Sequence, residues 1–254
     1  MALTAKSLFL YGFQITNLNS SLDFQSVSMG PVKQATLTQG FYSLSSLLIE
    51  IKRAMQAVDS LNTYTVTADR TISSGTQNRV TIYTSGSFLS LLLGTGPRIT
   101  TSCATLIGFT ATDKTGFTTY TGTLTAGTAL LTEYPAYTFI PTEMDHQVFG
   151  SSNISASGVK EVVSFQIQQF WSGEFKYEPE AKVKVQWLAL MDWLIQGRLF
   201  DFTPEVTSPT VFYEGTLEKH PRESKGLGYN FKEMLPNFPF NYQTGIMTFR
   251  LNIT

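Results

Sequence analysis

Cysteine and histidine are scarce in this sequence of 254 residues, which has one cysteine and two histidines. The single Cys103 excludes an intramolecular disulfide and a cysteine-based metal cluster. Because nucleophilic catalysis usually pairs a nucleophile with histidine, the usual catalytic pairs have few possible members here. The sequence therefore predicts a protein that is not an enzyme, and it predicts no catalytic, cofactor-binding or metal-binding residue.

Charge is also scarce. Charged residues make up 15% of the chain, and 18 basic and 19 acidic residues leave a net charge of −1. A chain with almost no net charge and no cluster of basic residues lacks the positively charged surface that binds nucleic acid, so the sequence predicts no nucleic-acid partner. No apolar run approaches the ~18 residues that cross a bilayer, and the first 13 residues lack the apolar region of a signal peptide. We therefore expect no membrane segment and a soluble chain made in the cytosol.

The residues that could carry chemistry each have a simpler structural explanation. Cys103 stands beside an apolar run, which favours a buried, inert thiol. His146 follows Glu143 and Asp145, a weak metal-ligand set with no second histidine at ligand spacing. His220 precedes a proline in a turn, and the pairs Gly94/Gly96 and Gly226/Gly228 lack the rest of a phosphate loop. Asp192 and Asp201 are each flanked by large apolar residues, and helix or strand spacing predicts that both face solvent.

Charge density predicts two domains. Residues 80–139 contain four charged residues, whereas residues 160–254 contain twenty-one. Threonine follows the same division, with sixteen between Gly94 and Thr142. The predicted division is a Thr-rich β domain at 1–140, a linker at 141–158 with a small polar run, and a β-rich domain at 159–254.

In the first domain, Ser43 is a predicted N-cap for a helix over 43–58, whose apolar residues recur at helical spacing. Residues 34–37, 64–69 and 79–84 are predicted strands, the last two forming a hairpin against the helix. The segment 94–131 has only three charged residues, Arg98, Asp113 and Lys114, and lacks regular periodicity. We expect it to be irregular, to make few internal contacts and to become ordered in an assembly interface.

The second domain is predicted to contain a helix over 181–196 that ends at Gly197, with Trp187 and Met191 in its core. Val163, Phe165 and Ile167 alternate with polar residues, as does the C-terminal segment 247–253, and both patterns indicate half-buried strands. The predicted fold class is α+β, mostly β, with two β-rich domains that each contain one main helix, the second sandwich-like.

The aromatic residues of the second domain allow an alternative interpretation as a platform for sugar rings. Strand alternation predicts that most of these aromatic side chains lie in a core, so a glycan-binding module is the alternative rather than the favoured function. The residues concerned are Phe170, Trp171, Phe175, Tyr177, Tyr213, Tyr229, Phe231 and Tyr242.

Two longer patterns together cover most of the chain. The first comprises residues 21–24, 35–43, 47–57, 64–67, 80–82, 88–96, 106–109 and 113–116, and the second 187–193, Gly197, 200–202, Tyr213 and 249–251. The first pattern resembles a module of structural proteins of tailed bacteriophages. The second is similar to the C-terminal part of phage tail-tip, baseplate or neck proteins.

The resemblance implies a structural protein of the virion, such as a distal-tail, baseplate or neck connector protein. It implies no catalytic residues and no cofactor. Because phage tails are built from rings, it implies homo-oligomers with cyclic symmetry and contacts with adjacent tail or neck proteins. The alternative is a receptor- or glycan-binding module on the same virion.

Overall fold

The computed structural model describes residues 6–71, 77–133, 143–154, 157–158, 160–206, 212–219, 232–233 and 241–252. The fold is α+β and mostly β, as predicted. The strands are β1 (Lys6–Tyr11), β2 (Phe13–Ile15), β3 (Ser21–Gln25), β4 (Lys33–Thr36), β5 (Gly40–Tyr42), β6 (Tyr64–Ala68), β7 (Val80–Thr84), β8 (Leu89–Leu91), β9 (Lys114–Phe117), β10 (Thr119–Thr121), β11 (Thr128–Glu133), β12 (Glu143–Ile154), β13 (Lys160–Glu174), β14 (Glu178–Pro179), β15 (Phe200–Thr203), β16 (Tyr213–Lys219), β17 (Lys232–Glu233), β18 (Asn241–Gln243) and β19 (Ile246–Asn252).

The chain forms two compact units. The N-terminal unit contains Leu8–Ala129 and Leu199–Phe212, and the C-terminal unit contains Met1–Ser7, Leu130–Arg198 and Tyr213–Thr254. This division differs from the predicted boundaries because 199–212 returns to the N-terminal unit, where β15 pairs antiparallel with β1. The predicted linker 141–158 also contains an ordered element, since β12 pairs with β13 from Glu143 to Ile154.

In the N-terminal unit, α1 (Leu44–Val58) packs against short antiparallel sheets of order β4-β3-β8-β9 and β10-β7-β6. The Ser43 hydroxyl accepts the Ser46 N–H at 3.0 Å, which confirms the predicted N-cap. The hairpin of β6 and β7 is confirmed, with Thr65 opposite Tyr83 and Thr67 opposite Thr81.

The charge-poor segment 94–131 contributes side chains to the core of the N-terminal unit, so the prediction of few internal contacts is wrong. Cys103 and Ile107 are fully buried, and Phe109 is 1% exposed. All three pack in one cluster with residues of α1 and β3. In a loop, the apolar residues that become buried do not recur every 2 or 3.6 positions as they do in strands and helices. The sequence pattern alone therefore does not reveal that these residues belong to the core.

In the C-terminal unit, antiparallel strands have the order β16-β19-β13-β12, and β14, β18 and β17 form a second small sheet. The main helix runs through α2 (Glu180–Lys182), a π turn (Val183–Trp187) and α3 (Leu188–Leu194). Gly197 follows with a φ of +67°, which suits the predicted C-terminal stop because glycine adopts this conformation without steric cost.

Stacked aromatic rings connect the main sheet of the C-terminal unit to its helix. Phe249 of β19 stacks on Trp171 of β13 with ring centroids 5.5 Å apart. Phe175 lies 6.2 Å from Trp171 and 5.0 Å from Trp187 of the helix. Trp187 and Met191 are 0% and 1% exposed, which confirms their predicted place in the core.

Candidate protein-interaction surface

A buried carboxylate organises one end of the N-terminal unit. Asp59 follows the last residue of α1, is 1% exposed, and donates its N–H to the Met55 carbonyl at 3.1 Å. Its side chain accepts the Tyr64 hydroxyl at 2.6 Å and the Asn62 amide at 2.9 Å. These contacts fix the loop between α1 and β6 in one conformation.

The same carboxylate joins this loop to the β3–β4 turn. The Lys33 ammonium lies 3.0 Å from a carboxylate oxygen of Asp59, and Ser26 also hydrogen-bonds to Asp59. Because Ser26 and Lys33 stand on either side of the turn, Asp59 brings the turn next to the end of α1. Burial alone would raise the pKa of Asp59, but its hydrogen bonds to Tyr64, Asn62, Lys33 and Ser26 outweigh burial and lower it far below the ordinary value.

The turn exposes two apolar side chains. Gly30 donates its N–H to the Val27 carbonyl at 2.9 Å, and the Gln25 amide donates to the Gly30 carbonyl at 2.7 Å. Met29 lies between Val27 and Gly30, has a φ of +56° and is 99% exposed, while Val27 is 60% exposed. A positive φ is unfavourable for a residue with a Cβ, so the turn holds Met29 in a backbone conformation that methionine rarely adopts.

The neighbouring loop adds two more apolar side chains. Leu61 is 91% exposed and Val58 is 40% exposed, and the Leu61 N–H donates to Asp59 at 3.2 Å. We call the group Val27, Met29, Val58 and Leu61 the apolar corner. The four residues lie on two loops that Asp59 joins, and exposed apolar side chains on neighbouring loops are candidates for contact with another protein.

The polar cluster below the corner gives a pH prediction. Asp59→Asn should lower the free energy of unfolding by about 1.5–3 kcal/mol at pH 7, since hydrogen bonds to a buried charged group are lost. A carboxyl whose pKa is lowered by folding stabilises the protein above its unfolded pKa, and this contribution is lost as pH falls. The difference between wild type and variant should therefore shrink below about pH 4.

Urea unfolding monitored by circular dichroism between pH 3 and 7 measures this difference. Asp192→Asn is the matched control, because Asp192 is exposed and its substitution should change little at any pH. A difference for Asp59→Asn that stays constant from pH 7 to pH 3 would contradict the assignment of a lowered pKa.

The structure places the sequence-predicted residues as follows. Cys103 is fully buried, as predicted, and burial raises the pKa of its thiol to about 12, so the thiolate is disfavoured at neutral pH. Asp192 is exposed, as predicted. Glu143, Asp145 and His146 lie in β12, but their side chains fall outside the described part of the chain, as do His220, Gly226 and Gly228 entirely.

The prediction that Asp201 faces solvent is wrong, because its side chain is 1% exposed. One carboxylate oxygen accepts the Leu44 N–H at the start of α1, and the other accepts the Ser45 hydroxyl at 2.8 Å. The Arg70 guanidinium lies 3.5 Å away, and its carbon lies 4.2 Å from the centre of the Phe212 ring. Burial raises the pKa of Asp201, while Arg70, Ser45 and Leu44 act in the opposite direction. Asp201 is a structural charge that holds the N-terminus of α1.

Three of the eight aromatic residues considered as a sugar platform in the second domain lie in its core, and Tyr213 and Tyr242 are half-buried. Trp171 and Phe175 are fully buried, and Phe170 is 8% exposed. Tyr177 is 51% exposed, while Tyr229 and Phe231 lie outside the described residues. Buried rings cannot stack on a ligand in solvent, so these residues do not form a platform together.

The described residues show neither a metal cluster nor a membrane-spanning helix. No group of three or more His, Cys, Asp or Glu side chains among them could hold a metal ion. None of the helices in the described part of the chain is long and apolar enough to cross a membrane.

The chain matches no protein-family model, and no curated protein is significantly similar to it in sequence.

Proposed function

We propose that this chain is a structural protein of a bacteriophage tail, such as a distal-tail, baseplate or neck connector protein. It assembles into a ring with copies of itself and contacts adjacent tail or neck proteins. The apolar corner is the observation that carries the proposal. Its role is to bury Met29 and Leu61 against a neighbouring protein chain in the particle.

Three features support an assembly role. The corner combines side chains 99% and 91% exposed with hydrogen-bonded loop backbones, so a partner that binds there has little loop backbone to order. Lys33 and Asp59, which join the two loops of the corner, form an ion pair, so neither of these two residues adds an unpaired charge to it. The sequence resemblance to phage structural proteins agrees with both features.

The test is the double substitution Met29→Ser and Leu61→Ser. Both side chains face solvent, so the melting temperature should stay within about 2 °C of wild type. Burial of two large apolar side chains contributes roughly 3 kcal/mol or more to an interface, so incorporation into tail particles should fall at least tenfold. Quantitative mass spectrometry of purified particles measures incorporation.

Leu124→Ser is the matched control, because Leu124 is an exposed apolar residue of the same unit at 61%. It should leave incorporation unchanged. Normal incorporation of the double variant would remove the apolar corner from the assembly proposal, and absence of the wild-type chain from particles would refute membership of the virion.

A further inference from the structure

A second surface of the N-terminal unit has a different chemistry. The sheet of order β10-β7-β6 packs its inner side chains into the core, including Tyr64, Val80 and Ile82, all 0% exposed. Its outer side consists of two rows of three residues that face each other across the strands. One row is Thr119, Tyr83 and Thr65, and the other is Thr121, Thr81 and Thr67.

We call these six residues the hydroxyl face. Every side chain on it carries a hydroxyl, and none carries a charge. Tyr83 is 43% exposed and stands in the middle strand. The hydroxyls of Thr81 and Thr121 lie 2.8 Å apart, so neighbouring side chains in the second row hold each other's orientation. The result is an aromatic ring bordered by ordered hydroxyl groups.

We propose that the hydroxyl face binds a neutral carbohydrate. The apolar face of the Tyr83 ring can stack on the C–H groups of a sugar ring. Threonine hydroxyls donate and accept hydrogen bonds, so they match the hydroxyls of a sugar in either direction. A charged ligand would lose hydration on this face without gaining a counter-charge from the six residues, which favours a neutral sugar over an acidic one.

The size of the face also favours a small ligand over a second protein. Strands lie about 4.8 Å apart and alternate residues about 6.7 Å apart, so two rows on three strands cover on the order of 200 Å². A stable protein interface covers about 800 Å² on each partner. One to three sugar rings fit the smaller area, and this activity is independent of the assembly role of the apolar corner.

NMR titration of the full-length chain with a panel of neutral and acidic glycans tests the proposal. We expect binding of neutral glycans with a Kd on the order of 1 mM. Tyr83→Ala should weaken binding at least tenfold, and Thr81→Val, which keeps the shape but removes one hydroxyl, about three- to tenfold.

Phe117→Ala is the matched control, because Phe117 is an aromatic residue of the same unit that is 71% exposed. It should leave the Kd unchanged, and thermal melting of all variants checks that each one is folded. Three results would overturn the proposal: no neutral glycan bound at 10 mM, equal loss with Phe117→Ala, or light scattering that shows a dimer abolished by Tyr83→Ala. The last would assign the face to a second copy of the chain.

Discussion

Truncation of Trp187 to alanine should lower the free energy of unfolding by about 3–5 kcal/mol. The indole is fully buried in the C-terminal unit, with its ring 5.0 Å from Phe175, which in turn contacts Trp171. Removing it takes away the aromatic link between helix and sheet and leaves a cavity that neighbours fill only in part. Chemical denaturation of the full chain, followed by tryptophan fluorescence and circular dichroism, measures the loss.

The π turn that holds Trp187 provides the control. Val185 lies two residues earlier and is 71% exposed, so Val185→Ala should change the free energy of unfolding by less than about 0.5 kcal/mol. A similarly small change for Trp187→Ala would mean that the indole does not stabilise the core.

Replacement of Asp201 by alanine should cost about 3–5 kcal/mol of unfolding free energy. The substitution removes the acceptor for the Leu44 N–H and the Ser45 hydroxyl. It also leaves the Arg70 guanidinium, whose side chain is 13% exposed, without its counter-charge. Loss of a helix cap and an unpaired buried cation are both unfavourable, so the effects add in the same direction.

Asp192 supplies the comparison, since it is the exposed member of the two aspartates that are flanked by large apolar residues. Asp192→Ala should be neutral within about 0.5 kcal/mol. Combining Asp201→Ala with Arg70→Leu should recover part of the loss, because the unpaired cation is then absent. Equal, small effects for Asp192→Ala and Asp201→Ala would show that Asp201 does not hold α1.

Local patterns in the sequence predicted the elements that local interactions determine. The Ser43 cap and the helix after it follow from side-chain hydrogen bonding and periodicity, and the hairpin of β6 and β7 follows from β-branched residues around a turn. Cys103 and Trp187 were placed correctly because each stands in an apolar pattern.

The burial of Asp201 could not be predicted from alternation. All four residues of β15 are buried, so the strand lacks a solvent side that a period of two would reveal. The partners of Asp201 on α1 lie 156 and 157 residues away in sequence. The sequence does place Asp201 between two phenylalanines, which is unusual for an exposed acid, but this pattern does not identify the residues that bind the carboxylate.

The linker prediction failed for a related reason. Small polar residues such as Gly150 and Ser151 have low strand propensity, yet they pair with β13 beyond a register shift at Phe149 and Gly150. Hydrogen bonding to a neighbouring strand overrides intrinsic preference, and that neighbour is not visible in the local composition.

The apolar corner was not predicted either, because single exposed residues such as Met29 and Leu61 carry no periodic signal. The contacts of Asp59 join the two loops that carry them, and one of these contacts is with Lys33, which is distant in sequence. The corner is therefore a property of the tertiary structure, and it supports the same kind of function as the sequence resemblance does.

The rate of methionine oxidation tests whether Met29 is buried against another chain in the particle. Met29 is 99% exposed, whereas Met55 and Met191 are 0% and 1% exposed and serve as internal references. In the free chain Met29 should form sulfoxide much faster than both references. In tail particles from the infected host, oxidation of Met29 should slow at least about fivefold while the references do not change. Equal oxidation rates of Met29 in the free chain and in the particle, or particles that lack the chain, would contradict this proposal.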